Sequence, residues 1–196
     1  MSSKKKTSTR KLTVTGMMIA ITMILAYTPL GIIPLQPVSA TITHIPTIII
    51  ALLEGPIVGA IIGAAFGIVS LIKALTQPAG ILGPYFINPL VSILPRVLIG
   101  IIAGYSYKGF LNVIKNGTLC AVLASALGSL TNTLGAMGMI YVLYLSDMTQ
   151  KLGTAAGPVI WGIITTYGIV EMLAAAVICT TVVLALKKAV YRSTTA

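Results

Sequence analysis

Long apolar runs separated by short polar or proline-rich breaks dominate the chain, and six such runs can be delimited. Most of them are long enough for a helix to cross about 30 Å of hydrocarbon at about 1.5 Å per residue. The predicted helices extend from Leu12 to Leu30, from Val38 to Leu53, from the break at Glu54–Pro56 to Leu75, from Leu90 to Tyr107, from Leu119 to Leu145 and from Pro158 to Leu186. The pattern therefore predicts an all-α integral membrane protein, a bundle of six transmembrane helices of which the second is short.

The composition agrees with this interpretation and leaves no room for a second, soluble domain. Of the 196 residues, 57% are hydrophobic and 8% are charged, whereas soluble domains carry about 25% charged residues. We expect a basic cytoplasmic N-terminus over residues 1–11, one transmembrane domain over 12–190 and a cytoplasmic tail over 191–196. The basic start and first apolar run also resemble a secretory signal, but no small-residue cleavage site precedes Pro29, so we expect this helix to be retained.

The positive charges lie mainly near the two termini, although the net charge of +10 could suggest nucleic-acid binding. Five Lys or Arg precede the first helix, two lie between the fourth and fifth, and three follow the sixth. The predicted outer segments carry only Lys151, while Lys73 and Arg96 fall within helices. Because cytoplasmic segments are enriched in Lys and Arg, the bias predicts six crossings with both termini inside and no nucleic-acid partner.

Small residues recur one helical turn apart on three of the predicted helices. They are Gly16 and Ala20 on the first, Gly59, Gly63 and Gly67 on the third, and Gly100 and Gly104 on the fourth. Such stripes let helix backbones approach closely in lipid, where the hydrophobic effect does not drive helix association. We interpret the stripes on the third and fourth helices as internal packing. For the pair on the first helix, internal packing and docking of a partner remain equally open.

Three ionisable side chains fall within predicted spans: Lys73, Arg96 and Glu171. Because a charge within the membrane is costly, each of them requires a functional or structural explanation. Lys73 lies near an outer helix end and could reach the headgroups. Glu171 lies near mid-membrane, where it is protonated, paired with a cation or turned toward a polar cavity. Arg96 follows Pro95 at the outer end of the fourth helix. It either reaches the headgroups or presents its donors to a carboxylate or phosphate entering from outside.

A polar stripe on the fifth helix favours an anion-binding role for Arg96. Ser125, Gly128, Ser129, Asn132 and Gly135 fall at i, i+3, i+4, i+7 and i+10, on one helical face. Asn132 could link two helices through a hydrogen bond. Its amide could equally bind the amide or hydroxyl groups of a solute.

Aromatic and polar residues of the predicted outer segments could complete an outward-facing pocket around Arg96 and Asn132. They are Gln36, His44, Gln77, Tyr85, Asn88 and Trp161. The predicted substrate-binding set consists of Arg96, Asn132, Gln77, Tyr85, Asn88, His44, Trp161 and Glu171. For His44, a hydrogen bond at a helix start is the alternative. Tyr85 and Trp161 could instead anchor the helices at the membrane interface.

Motifs for catalysis or nucleotide hydrolysis are absent from the sequence. It contains no phosphate loop, no H-E-x-x-H and no G-x-S-x-G. Cys120 and Cys179 lie singly in apolar runs as small hydrophobes, so no metal or cofactor is predicted. An intramembrane enzyme using His44 or Glu171 lacks a paired nucleophile, and a scaffold binding protein helices through its glycines is a further alternative. A solute-binding transport subunit is the favoured interpretation.

The chain also resembles a known family, the substrate-binding S components of energy-coupling factor (ECF) vitamin transporters. The resemblance covers nearly the whole chain and rests on LLEGPIVGAIIGAAFGIVSLIKAL, LPRVLIGIIAGYSY, TNTLGAMGMIYVLY and an acidic residue in the last helix. Its most specific element joins P-R-x-L-x-G-x-x-A-G-x-x-Y, from Pro95 to Tyr107, to the T-N-T of Thr131–Thr133. An arginine on the fourth helix with an asparagine on the fifth resembles the pantothenate-specific members.

The resemblance implies a subunit of the prokaryotic plasma membrane that binds a vitamin outside and works with a transmembrane T subunit and two cytosolic ATPases. It also implies docking through small residues of the first helix, commonly Ala-x-x-x-Ala, which Gly16 and Ala20 match with one departure. Pantothenate offers a carboxylate for Arg96 and an amide and hydroxyls for Asn132. Three Phe and one Trp favour it over flat vitamins such as riboflavin or folate, but eight Tyr keep those alternatives open.

Overall fold

Helices form nearly all of the described chain, which in this computed structural model comprises residues 3–33, 40–78 and 80–194. They are α1 (Ser3–Tyr27), α2 (Ile45–Glu54), α3 (Pro56–Thr76), α4 (Pro89–Ser92), α5 (Leu94–Ile114), α6 (Gly117–Leu152) and α7 (Ala156–Thr194). Short 3-10 turns at Pro29–Gly31, Gly83–Ile87 and Gly153–Ala155 connect some of them. Two strands of two residues each, β1 (Ile32–Ile33) and β2 (Ala40–Thr41), pair antiparallel. The predicted helical fold is confirmed.

Four segments of the described chain are long and apolar enough to cross a membrane. They are Pro56–Thr76, Pro89–Ile114, Gly117–Lys151 and Ala156–Lys188. Two shorter apolar helices, Leu12–Tyr27 and Ile45–Glu54, accompany them. At about 1.5 Å per residue, α2 spans only about 15 Å, half of the hydrocarbon thickness. The chain is therefore a multi-pass membrane protein, and α2 is too short to cross by itself.

The second helix begins later than the apolar pattern predicted. Residues 40–41 form β2 instead, and the helix begins at Ile45 with Pro46 in its first turn. Proline suits a first turn because its missing N–H would have no partner within the helix. Ile32 pairs with Thr41 across the small ladder, which holds this stretch extended. The predicted start, Val38, lies outside the described residues.

Polar caps and a proline fix the ends of the neighbouring helices. The N–H of Leu90 donates to the side-chain oxygen of Asn88 over 2.9 Å and begins α4. As predicted, Pro95 lies in the first turn of α5. Lys115, at φ 55°, ends α5, and the Asn116 side chain caps α6. The two-residue connection turns the chain back, so α5 and α6 are antiparallel.

The helices α3 and α5 pack backbone to backbone through the predicted glycine stripes. A Cβ added at Gly63 would overlap the carbonyl group of Arg96, and one added at Gly100 would overlap the backbone of Gly59. The other members of the two stripes are equally close to backbone or Cβ atoms of neighbouring elements. The prediction of internal packing is confirmed, and the contact holds the α5 turn that carries Arg96 directly against α3.

The short α2 lies at the centre of the bundle and fills only one half of it. All residues from Ile45 to Leu52 are buried, and five of them share a core cluster with Cys120 of α6 and Cys179 of α7. The half of the bundle beyond the N-terminal end of α2 has no central helix. A cavity occupies that half.

Candidate functional site: a polar cavity beyond the end of α2

A cavity of about 770 Å³ is lined by residues of α3, α5, α6 and α7 and by Thr41 and Thr43, which precede α2. This volume falls within the range of about 300–1,000 Å³ that is usual for small-molecule sites. Its polar lining residues are Thr41, Thr43, Ser70, Lys73, Gln77, Arg96, Asn132, Thr133, Tyr167 and Glu171. The remaining wall is mostly apolar and includes Phe66, Phe86 and Met137. The few polar groups can therefore fix the orientation of a solute whose carbon skeleton contacts the apolar wall.

Arg96 is held in the cavity wall by two aromatic rings and one carbonyl group. Its guanidinium carbon lies 5.5 Å from the ring centre of Phe66 and 5.1 Å from that of Phe86. Nη1 donates to the carbonyl of Val91 over 3.0 Å, whereas the buried Nε has no hydrogen-bond partner in the described part of the chain. Since a guanidinium carries five N–H donors, most of them remain for an anion in the cavity.

Asn132 lies on α6, and its side-chain oxygen lacks a protein partner. The residue is 6% exposed, and its buried Oδ1 accepts no hydrogen bond from the described residues. Leaving such a group unpaired costs about 1–3 kcal/mol. Gly135, on the same face, approaches Pro95 of α5, so the predicted polar stripe faces the bundle interior. Asn132 also lines the cavity.

Glu171 on α7 accepts three hydrogen bonds from two other elements. Its Oε1 accepts from the backbone N–H of Thr41 over 2.7 Å and from the Thr41 hydroxyl over 3.2 Å. Its Oε2 accepts from the hydroxyl of Thr133 over 2.9 Å. Of the possibilities considered from the sequence, the structure favours the polar cavity, where protein donors stabilise the carboxylate.

Lys73 and Gln77 lie on the cavity side of α3. The Lys73 ammonium donates to the carbonyl of Ala26, next to the end of α1, so it does not simply extend into the headgroups. Gln77 is exposed at the end of α3, and both residues line the cavity. The cavity thus brings together Arg96, Asn132, Gln77 and Glu171 of the predicted set and adds a second cation.

The other predicted residues lie outside the cavity lining found among the described residues. Both buried ring nitrogens of His44 lack a hydrogen-bond partner among the described residues, so these residues do not supply the alternative hydrogen bond at the helix start. Tyr85 donates to Asp147 over 2.7 Å, and burial followed by this hydrogen bond raises the pKa of its phenol. Asn88 donates to the hydroxyl of Tyr144. Trp161 is 61% exposed on α7, and Gln36 lies outside the described residues.

Several lining residues were missed by sequence reasoning, and one face of α3 carried a signal for them. Phe66 and Ser70 were missed. They lie 7 and 3 residues before Lys73, and Gln77 lies 4 residues after it, so all four residues share one helical face. That spacing could have grouped the aromatic ring with the cation. Thr41 carried no comparable signal, because its partner Glu171 lies 130 positions away in sequence.

A comparison with known families matches residues 10–185 to the family described as "ECF transporter, substrate-specific component". The chain belongs to this family of transporter subunits. It is therefore a multi-pass plasma-membrane protein of a transport system and not an enzyme, which settles the intramembrane-enzyme alternative and confirms the resemblance.

Two relatives carry more specific names. The pantothenic acid transporter PanT of Lactococcus lactis subsp. cremoris (strain MG1363) is 30% identical over 166 residues, which cover 78% of this chain and 80% of the relative. The pantothenate transporter PanT of Leuconostoc mesenteroides subsp. mesenteroides is 32% identical over 133 residues, which cover 66% of this chain and 64% of the relative.

Proposed function

We propose that this chain captures pantothenate from outside the cell and delivers it through an ATP-driven ECF module. One observation carries the proposal: Asn132 Oδ1 and Arg96 Nε, neither of which has a hydrogen-bond partner among the described residues, belong to side chains that line the same cavity. The names of the two relatives support the same solute. Of the predicted substrate-binding residues, we retain Arg96, Asn132 and Gln77 as ligand contacts, with Glu171 in the wall.

The charges of the cavity favour a solute with one negative charge. Lys73 and Arg96 contribute two positive charges, and Glu171 contributes one carboxylate that already accepts three protein hydrogen bonds. The remaining positive charge matches one carboxylate, which Arg96 can bind through parallel N–H donors. Asn132 can accept from a hydroxyl or amide N–H and donate to a carbonyl. Pantothenate offers all of these groups along one flexible chain.

The distribution of basic residues supports an outward-facing cavity in a bundle of six crossings with both termini inside. Lys187 donates to the hydroxyl of Tyr107 over 2.6 Å, and Lys108 lies beside Gly55, so these cations gather at one end. Tyr107 lies 11 residues after Arg96, or about 16 Å along α5. Because cytoplasmic ends are rich in Lys and Arg, the cavity end is the outer one.

The partners that we propose are a transmembrane T subunit and two cytosolic ATPase subunits. Gly16 and Ala20 are both exposed on α1, and a Cβ added at Gly16 would meet nothing within 4 Å. Within the described part of the chain, the space beside Gly16 is therefore not used for packing. A small-residue surface of this kind admits close approach of a helix of the T subunit.

Removing the guanidinium tests the proposed ligand. We expect Arg96→Ala to weaken calorimetric binding of pantothenate by at least about 100-fold, because losing a charge-assisted pair and leaving the ligand carboxylate buried costs about 3 kcal/mol or more. Arg96→Lys should recover only part of the affinity, since an ammonium lacks the planar pair of donors. Lys188→Ala, at the opposite end of the bundle, serves as the matched control with unchanged affinity.

Two outcomes would contradict the proposal. If Arg96→Ala binds pantothenate with unchanged affinity, Arg96 does not bind the ligand carboxylate. Native mass spectrometry of the gently purified protein should show bound pantothenate, and a different co-purifying vitamin would replace the proposed solute.

A further inference from the structure

The Glu171 carboxylate joins three separate elements of the cavity wall. It lies on α7, Thr133 lies on α6, and Thr41 lies on β2, and both carboxylate oxygens accept hydrogen bonds from these partners. Only 7% of the residue is exposed. Three protein donors therefore take up most of the roughly four lone-pair sites of this carboxylate.

On the α6 side, the contact lies beside the proposed ligand residue Asn132. Gly168 stands one helical turn before Glu171, and a Cβ added there would lie 3.2 Å from Cγ2 of Thr133. The glycine lets α7 approach Thr133, and Glu171 then accepts from its hydroxyl. Because Thr133 follows Asn132 directly, this contact fixes the turn of α6 from which the Asn132 amide projects.

On the other side, Glu171 holds the small β ladder against the bundle. The Thr41 backbone donates to Oε1, Thr41 pairs with Ile32 of β1, and the N–H of Ile42 donates to the carbonyl of Gly31 over 3.0 Å. Ile32, Thr41 and Thr43 all line the cavity. The position of this part of the wall therefore depends on the Glu171 carboxylate.

We infer that Glu171 is a positioning residue of the cavity, which holds β2 and the Asn132 turn of α6 in place and does not itself contact the ligand. Because these contacts hold the cavity wall in place when no ligand is bound, the inference can be tested in the ligand-free protein. Its consequence for affinity rests on the proposed pantothenate function.

The first experiment measures the ladder in the ligand-free protein. A nitroxide label on Leu30→Cys reports on the segment next to β1, because Leu30 is 71% exposed, whereas Cys120 and Cys179 are fully buried and do not compete for the label. Glu171→Gln should increase the mobile component of the spectrum, and Thr133→Val, which leaves the two Thr41 hydrogen bonds in place, should increase it less. Thr133→Ser keeps the hydroxyl and should leave the spectrum unchanged. Thr131→Val is the matched control, since the Thr131 hydroxyl donates within its own helix, to Leu127.

The second experiment measures pantothenate binding by calorimetry in a double-mutant cycle. We expect about a 10-fold loss for Thr133→Val, as for a lost hydrogen bond to a charged group. The double variant Glu171→Gln with Thr133→Val should bind no more weakly than Glu171→Gln alone, because both changes remove the same contact.

The two experiments distinguish a positioning role of Glu171 from direct ligand contact and from an incorrect choice of solute. An unchanged nitroxide spectrum in Glu171→Gln, together with independent losses in the cycle, would show a direct ligand contact and overturn the inference. If the spectra change as expected but no variant or wild-type protein binds pantothenate, the positioning role stands and the proposed solute is wrong.

Discussion

Arg96 is buried near the start of α5, where a guanidinium without partners is costly. Two aromatic rings and the Val91 carbonyl offset part of this cost. The remaining donors face a cavity. An anion would supply hydrogen-bond acceptors for these donors. In the proposed function, the affinity for the anion therefore depends on the Arg96 donors that the protein leaves without acceptors.

Asn132 provides a test at the same scale, because a structural and a ligand-binding asparagine respond differently to replacement. We expect Asn132→Leu, which keeps the number and branching of the side-chain heavy atoms, to weaken pantothenate binding by about 10-fold or more while leaving thermal stability in detergent equal or higher. The physical reason is that the change removes a buried acceptor that has no partner in the empty protein.

The control for this prediction is Asn116→Leu. Asn116 accepts from the N–H groups of Thr118 and Leu119 at the start of α6, and losing such a cap costs about 1 kcal/mol. That variant should lose stability and keep its affinity. The opposite pattern in the Asn132 variant, lower stability with unchanged affinity, would identify Asn132 as a link between helices.

At the scale of the elements, the length of α2 and the spacing of glycines together create the site. A ten-residue helix fills half of the bundle, and the other half stays open for the cavity. The glycine contact between α3 and α5 brings Phe66, Lys73 and Arg96 around the same space. Because two helices can approach this closely only where side chains are absent, the glycines place the charged groups without touching them.

The glycine contact predicts a stability difference between two alanine substitutions. Gly63→Ala should destabilise the protein by about 1–3 kcal/mol, because the new methyl group overlaps the Arg96 carbonyl and forces α3 away from α5. Gly138→Ala on α6 is the matched control, since its Cβ would meet nothing within 4 Å, and alanine favours a helix over glycine. Thermal unfolding in detergent compares the two, and equal unfolding temperatures would count against the packing described here.

At the scale of the whole molecule, the two ends of the bundle carry different chemistry. One end holds the cavity with its polar wall, and the other holds Lys108 and Lys187 with the turn between α5 and α6. The exposed small residues of α1 belong to neither. In the proposed function, solute capture and partner docking use separate surfaces, which mutations can address one at a time.

Substituting the exposed glycine of α1 tests this separation. Gly16→Leu should leave pantothenate affinity and thermal stability unchanged, because a Cβ there contacts no other part of the described chain. Uptake of labelled pantothenate by cells that also express the T subunit and ATPases should fall strongly, since the larger side chain keeps a partner helix at a distance. Thr28→Ser, in the turn after α1, is a control with normal uptake, and normal uptake by Gly16→Leu would place the docking surface elsewhere.

Sequence alone predicted the membrane class, the helical fold, the internal packing of the glycine stripes on α3 and α5 and the polar character of Arg96 and Asn132. These follow from composition and from spacing within single helices, which act over a few residues. Only the tertiary structure decided the start of α2, the inclusion of Lys73 and the exclusion of His44, Tyr85, Asn88 and Trp161 from the cavity wall. Those outcomes depend on contacts between distant segments, such as Thr41 with Glu171 and Lys73 with Ala26. A pattern along one helix carries no information about which neighbour completes such a contact.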